Sequence, residues 1–187
     1  MKRILIIDNY DSFVYNIYQY VASMGVDVKI LENDMISPEK SDYDGIIISP
    51  GPGNPKNIED RGKLYEFIDN NRHKKFLGIC FGHQTLAYYL GSDIRLSKRI
   101  MHGQIDAIKH SEGIIYNGIP ETFNAIRYHS LVVTENSNII VDAVSITDGE
   151  IMGFHSRDNH FFGVQFHPES YYTNDGYRVL KNFIDAV

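Results

Sequence analysis

The chain carries a single cysteine, and the residues around it, Phe76 to Leu90 (FLGICFGHQTLAYYL), leave few folds open. Phe76 to Ile79 is an apolar run of strand length, and a helical pattern over Gln84 to Leu90 follows almost at once. Gly78 and Gly82 bracket Cys80 as G-x-C-x-G, the thiol version of the strand–turn–helix elbow that lifts a nucleophile above a sheet on a tight, strained turn. Larger side chains at the two glycines would collide with the neighbouring strand and helix. The elbow also sets the thiol at a helix N-terminus, where unpaired N–H groups and the helix dipole favour the thiolate. On these residues alone Cys80 is either such a nucleophile or a buried, inert core thiol, and both readings stay open.

The preceding residues supply the sheet that an elbow needs. Lys2 to Asp8 reads as a buried strand; a polar turn follows, in which Asp11 or Ser12 is expected to cap a helix whose apolar face is Phe13, Ile17, Tyr20, Val21 and Met24, with Gly25 as its C-cap. Val26 to Leu31 and Tyr43 to Ser49 are the next two strands, Asp60 to Asn70 the next helix. This alternation predicts an α/β fold with an open, mainly parallel central sheet covered by helices on both faces. Pro50 to Pro55 (PGPGNP) must be a stiff loop at the C-terminal edge of that sheet, the edge where open α/β sheets bind ligands. Such a turn can hold a bare N–H toward a developing oxyanion. From Ile94 onward the pattern shifts to short strands that suit antiparallel pairing: Ile105 to Ile108, Gly113 to Tyr116, Ala125 to Tyr128, Ile139 to Val144, Ile151 to His155 and Phe161 to Phe166. Gly176 to Val187 closes the chain as an amphipathic helix.

Composition narrows the function. At 187 residues, 43% hydrophobic and 22% charged, the chain reads as one soluble domain over residues 1–187. A net charge of -6 with no basic cluster argues against nucleic acid as a partner. No run is long enough to span a membrane and no basic-plus-apolar leader precedes Ile4, so a cytoplasmic location is expected. One thiol excludes an internal disulfide framework, and a reactive thiol survives best in a reducing compartment.

A partner for the thiol comes late in the chain. Phe161 to Phe166 runs into His167-Pro168-Glu169-Ser170. A histidine just past a strand, with a carboxylate two residues on, has the chemistry of a base and its orienting acid. Alone, the same residues also suit a solvated polar loop. Of the other histidines, His102 and His129 are expected to be structural, and His83 to lie on the helix surface or at a partner contact. No His/Cys/Asp/Glu set has metal-ligand spacing, and Gly51 to Gly53 is neither a dinucleotide nor a Walker fingerprint.

In this order and spacing, SPGPGNP (Ser49 to Pro55), GICFGHQ (Gly78 to Gln84) and FHPES (Phe166 to Ser170) resemble the class I, triad-type glutamine amidotransferases. DNYDSFVYN (Asp8 to Asn16) and RYHSLVV (Arg127 to Val133) narrow the resemblance to the glutaminase subunits, component II, of anthranilate synthase and of its relative aminodeoxychorismate synthase. The resemblance implies a flavodoxin-like architecture and an enzyme in which Cys80 attacks the carboxamide of L-glutamine, His167 shuttles protons and Glu169 orients His167. It further implies that Gly51, Pro52, Gly53 and Gln84 contact glutamine, with Ser130 and Leu131 doing so through their backbone, and that the N–H groups of Gly53 and Phe81 serve the oxyanion. The partner implied is a chorismate-binding synthase subunit, component I, in a hetero-oligomer, with Asp8 to Phe13 near the interface. No cofactor is expected on this chain, and Mg2+ is expected on the partner. Phe81 stands where the family often has Leu, and Gln104 where it commonly has Lys; neither touches the triad. Two other readings fit the residues less well. A stand-alone Cys-His hydrolase has no need of SPGPG and RYHSL, and a non-catalytic flavodoxin-like module has no need of the triad.

Overall fold

A computed structural model describes residues 1–187. Eleven strands and five helices follow in chain order: β1 (Arg3–Asp8), α1 (Val14–Ala22), β2 (Asp27–Glu32), β3 (Gly45–Ile48), α2 (Ile58–Arg61), α3 (Leu64–Asn71), β4 (Lys75–Ile79), α4 (Phe81–Tyr89), β5 (Ile94–Leu96), β6 (Gln104–His110), β7 (Thr122–Arg127), β8 (Leu131–Val133), β9 (Ile139–Ser145), β10 (Ile151–Ser156), β11 (Phe161–Val164) and α5 (Gly176–Ala186). Nine strands form one sheet in the order β2-β1-β3-β4-β11-β10-β9-β6-β7, and β5 pairs with β8 in a separate ribbon. In that order, neighbours from β2 to β11 run parallel, and the remaining neighbours are antiparallel. No helix is long and apolar enough to cross a membrane.

Strand alternation sorts the core into two layers. Ile4 and Ile6 of β1 and Leu77 and Ile79 of β4 face Val14, Ile17 and Val21 of α1 together with Val179, Leu180 and Phe183 of α5. Leu5 and Ile7, with Phe76, face the other way onto Leu64, Phe67 and Ile68 of α3 and Phe81, Leu86 and Ala87 of α4. Burial on both sides explains why β1 and β3 read as unbroken aliphatic runs.

Four local expectations are corrected. Gly113 to Tyr116 is not a strand: Ile114–Tyr116 forms a 3-10 turn, stapled to α5 by Asn182, whose Nδ2 donates to the Ile115 carbonyl at 3.0 Å. The helix expected over Asp60 to Asn70 is two pieces, because Gly62 adopts φ +52 and lets the chain close on Asn33. Neither Asp11 nor Ser12 caps α1. Its N-cap is Phe13, whose N–H Asp11 Oδ2 accepts at 2.8 Å, and Phe13 turns outward to stack on Tyr128 rather than joining the buried face. His83 is not on the helix surface but fully buried against Phe154.

Candidate active site

The site gathers where three adjacent strands, β3, β4 and β11, end on the same edge of the sheet. Beyond β4, Cys80 takes φ +52 as the N-cap of α4. A non-glycine residue is held there only by strong surrounding constraints. Both bracketing glycines are such constraints. A Cβ at Gly78 would run into the Gly82 carbonyl, and one at Gly82 into the carbonyl of Ile48 in β3. The strand, turn and helix therefore pack at backbone contact, and the thiol stands at the rim, 7% exposed.

The loop after β3 is fastened beneath by buried amides. Asn9 donates from its backbone N–H to Ser49 Oγ and from Nδ2 to the Ser49 carbonyl, both at 2.9 Å, and Asn33 Nδ2 donates to Asn9 Oδ1 at 3.0 Å. Gly51 passes so near Asn9 that a Cβ would overlap it. Gly53, at φ +102, lies over the Asp60 carboxylate, which accepts the Asn54 N–H at 2.8 Å. Asn9, Asn33 and Asp60 were not marked as site residues by sequence reasoning; of the three, only Asn9 lies in a string singled out there, DNYDSFVYN.

A cavity of about 190 Å³ opens above the thiol, lined by Cys80, by Gly51, Pro52 and Gly53 of the β3 loop, by Phe81 and Gln84 of α4, and by Tyr128 through Leu131. Every residue that the resemblance assigned to glutamine or to the oxyanion thus borders one space. The N–H groups of Gly53 and Phe81 donate to no other group of the chain, the state expected of donors at a helix N-terminus or in a turn that face a ligand. Gln84 uses its Nε2 internally, on the Leu131 carbonyl at 3.0 Å and Gln165 Oε1 at 3.1 Å. Its Oε1 is left free.

His167 and Glu169 lie behind, on a second cavity of about 210 Å³ that also borders Phe13 and Tyr128. Tyr128 lines both spaces and packs its ring edge-on to His167, with centroids 5.2 Å apart. His167 Nδ1 meets Glu169 Oε1 at 2.6 Å, with both residues nearly buried. His167 Nε2 has no partner. Burial alone would push the imidazole down; the Glu169 carboxylate and the neighbouring Cys80 outweigh it and raise its pKa well above the ordinary value. Tyr128 was missed in the sequence because its role is to divide space, which no motif records. His129 is structural, as expected. It is buried between Arg127 and the Leu131 carbonyl, its pKa pushed down to about 4 by burial and then by Arg127.

Comparison with known proteins bears on the same residues. The family model for class-I glutamine amidotransferases matches residues 5–187. Anthranilate synthase component 2 of Saccharolobus solfataricus is 46% identical over the full length of both chains. Bifunctional protein TrpGD of Thermotoga maritima is 42% identical across 99% of this chain, which spans 32% of that longer protein. A solved structure from Thermoplasma acidophilum, described as that of a candidate GMP synthase subunit, superposes with TM-score 0.90 at 26% identity over 99% of this chain and 93% of its own. Fold, elbow and full-length similarity agree: the chain belongs to the class I glutamine amidotransferases and is closely related, within them, to anthranilate synthase component 2.

Proposed function

We propose that this chain, acting as one domain over residues 1–187, is the cytoplasmic glutaminase subunit of an anthranilate synthase, and that it delivers ammonia to a chorismate-binding partner subunit. The observation that carries the reading is the single cavity shared by the Cys80 thiol, two undonated backbone N–H groups and Gln84, with the His167–Glu169 pair beside it.

In this scheme His167 takes the thiol proton as Cys80 Sγ attacks the glutamine carboxamide carbon, and Glu169 steadies the resulting imidazolium. The oxyanion that forms is met by the N–H groups of Gly53 and Phe81. Removing one donor of this kind costs on the order of 10²–10³ in rate, so the loop's bracing matters as much as its residues. His167 then hands its proton to the departing nitrogen. Ammonia leaves, and a γ-glutamyl thioester remains on Cys80. Water, losing a proton to His167, attacks the thioester carbon, and collapse releases glutamate with the proton returned to sulfur. Gly51, Pro52, Ser130 and Leu131 would hold the substrate, and the free Gln84 Oε1 would accept from it. The reaction calls for no cofactor on this chain, and Mg2+ would belong to the partner.

The test uses the chain assembled with its native partner and supplied with chorismate, Mg2+ and either glutamine or ammonia. Cys80→Ser is expected to abolish anthranilate formation from glutamine and to leave formation from ammonia intact. Loss of both would make Cys80 structural. Aminodeoxychorismate as the product would keep the mechanism and move the chain to the related synthase.

A further inference from the structure

Gln165 has no part in the scheme above, yet it is completely buried beside the nucleophile. It follows directly on the end of β11, two residues before His167, while its neighbours Val164 and Phe166 turn into the core layer shared with α1 and α5. Gln165 Nε2 lies 3.6 Å from Cys80 Sγ. The sulfur's other near polar neighbours are the His167 ring and the Tyr128 carbonyl at 4.0 Å, which can accept from a thiol but repels a thiolate.

An amide's two ends look alike by position, but the surroundings here fix them. Arg127 can only donate. His129 Nε2, 3.0 Å from Arg127 Nε, must therefore be bare, and the ring proton sits on Nδ1, which donates to the Leu131 carbonyl at 3.0 Å. That carbonyl can only accept, so the end of Gln84 facing it at 3.0 Å must be the NH2 group. The same NH2 meets Gln165 at 3.1 Å, so Gln165 must present its oxygen there and its own NH2 to the sulfur. Arg127 is itself immobilised, fully buried against Asp106 at 2.5 Å and Asp148 at 3.0 Å.

We propose that Gln165 is a positioning residue that donates a hydrogen bond to the Cys80 sulfur, with the direction of that bond fixed by the Leu131 carbonyl through Gln84. The proposal rests on the reading of Cys80 as the nucleophile. A donor aimed at sulfur favours the charged form and fixes the direction in which it points. Gln84 then has two duties, one toward substrate and one toward the residue that orients the thiol.

The test follows the rate of Cys80 alkylation by iodoacetamide against pH, in wild type, Gln165→Leu and Gln165→Glu. Both variants are expected to raise the midpoint by about one pH unit, and so to slow alkylation about tenfold at pH values below the wild-type midpoint. In the assembled enzyme kcat should fall while the KM for glutamine stays within about twofold, because Gln165 does not line the substrate cavity. A folded variant with the wild-type midpoint overturns the proposal. In wild-type chain carrying 15N side-chain amides, one glutamine NH2 pair should shift with the alkylation midpoint; no such shift overturns it regardless of how the variants fold. Wild-type glutaminase activity in the complex, measured in parallel, separates the two ideas. Its absence removes the reading of function, whereas activity with an unmoved midpoint removes the role of Gln165 alone.

Discussion

Glu169 and His167 show how far one contact can set the behaviour of a group. Burial works against a charged imidazole, and the 2.6 Å carboxylate contact reverses the outcome. Glu169→Gln is therefore expected to remove the largest influence opposing burial and to bring the His167 pKa down. Histidine ring NMR across pH 5 to 9 reads this directly, and an unchanged His167 titration would show that Glu169 does not hold the proton in place. Glutaminase activity in the complex should drop by about 10² or more, the usual contribution of acid–base catalysis. Cys80, His167 and Glu169 were legible in the sequence because reactive side chains are few and their order is informative. Gln165, Tyr128 and Asn33 were not, because amides and phenols are common and their roles arise from contacts across long stretches of chain, as between Gln165 and Cys80.

At the scale of elements, the elbow depends on backbone approach rather than on side chains. Gly82→Ala would place a methyl group against the Ile48 carbonyl of the neighbouring strand, and neither backbone can yield without moving β3 or α4. The expected loss is about 2 kcal/mol or more, the scale of overpacking in a rigid interior. Urea denaturation of the isolated chain measures it; an unchanged midpoint would mean that the strand–helix contact is slack. The long aliphatic strands and α5 were legible because burial on two faces, or on one helical stripe, leaves a periodic trace. β5 and β8 were missed, since a ribbon of three-residue strands leaves almost none. The turn at Ile114–Tyr116 looked like a strand because it is apolar throughout, but its buried residues, Ile115 and Tyr116, are covered by α5 and by stacking of Tyr116 on His110, not by a sheet neighbour.

Across the whole molecule, buried neutral histidines make the fold acid-sensitive. Burial pushes His83 down to about 3, and burial followed by Arg127 pushes His129 down to about 4. Both titrate near 6.5 when unfolded, so below that pH the unfolded chain binds more protons and stability falls as pH drops. Each group contributes about 1.4 kcal/mol per pH unit while the folded chain excludes its proton. His167 has the opposite sign: its raised value adds stability that is complete below the unfolded pKa and fades as pH rises through the folded one. The urea midpoint should therefore decline from pH 6.5 to 4, with a slope approaching two protons once His167 is protonated in both states; a flat profile would contradict burial of neutral rings. The parallel half of the sheet was legible from the βαβ rhythm and the antiparallel half from its short strands, whereas their joining by the last strand, β11, leaves no local mark. That strand lies between β4 and β10, so during synthesis the thiol emerges from the ribosome long before the histidine. Until the final segment threads into the middle of the sheet, the growing chain holds Cys80 without His167, so the two can meet only once the last strand is in place.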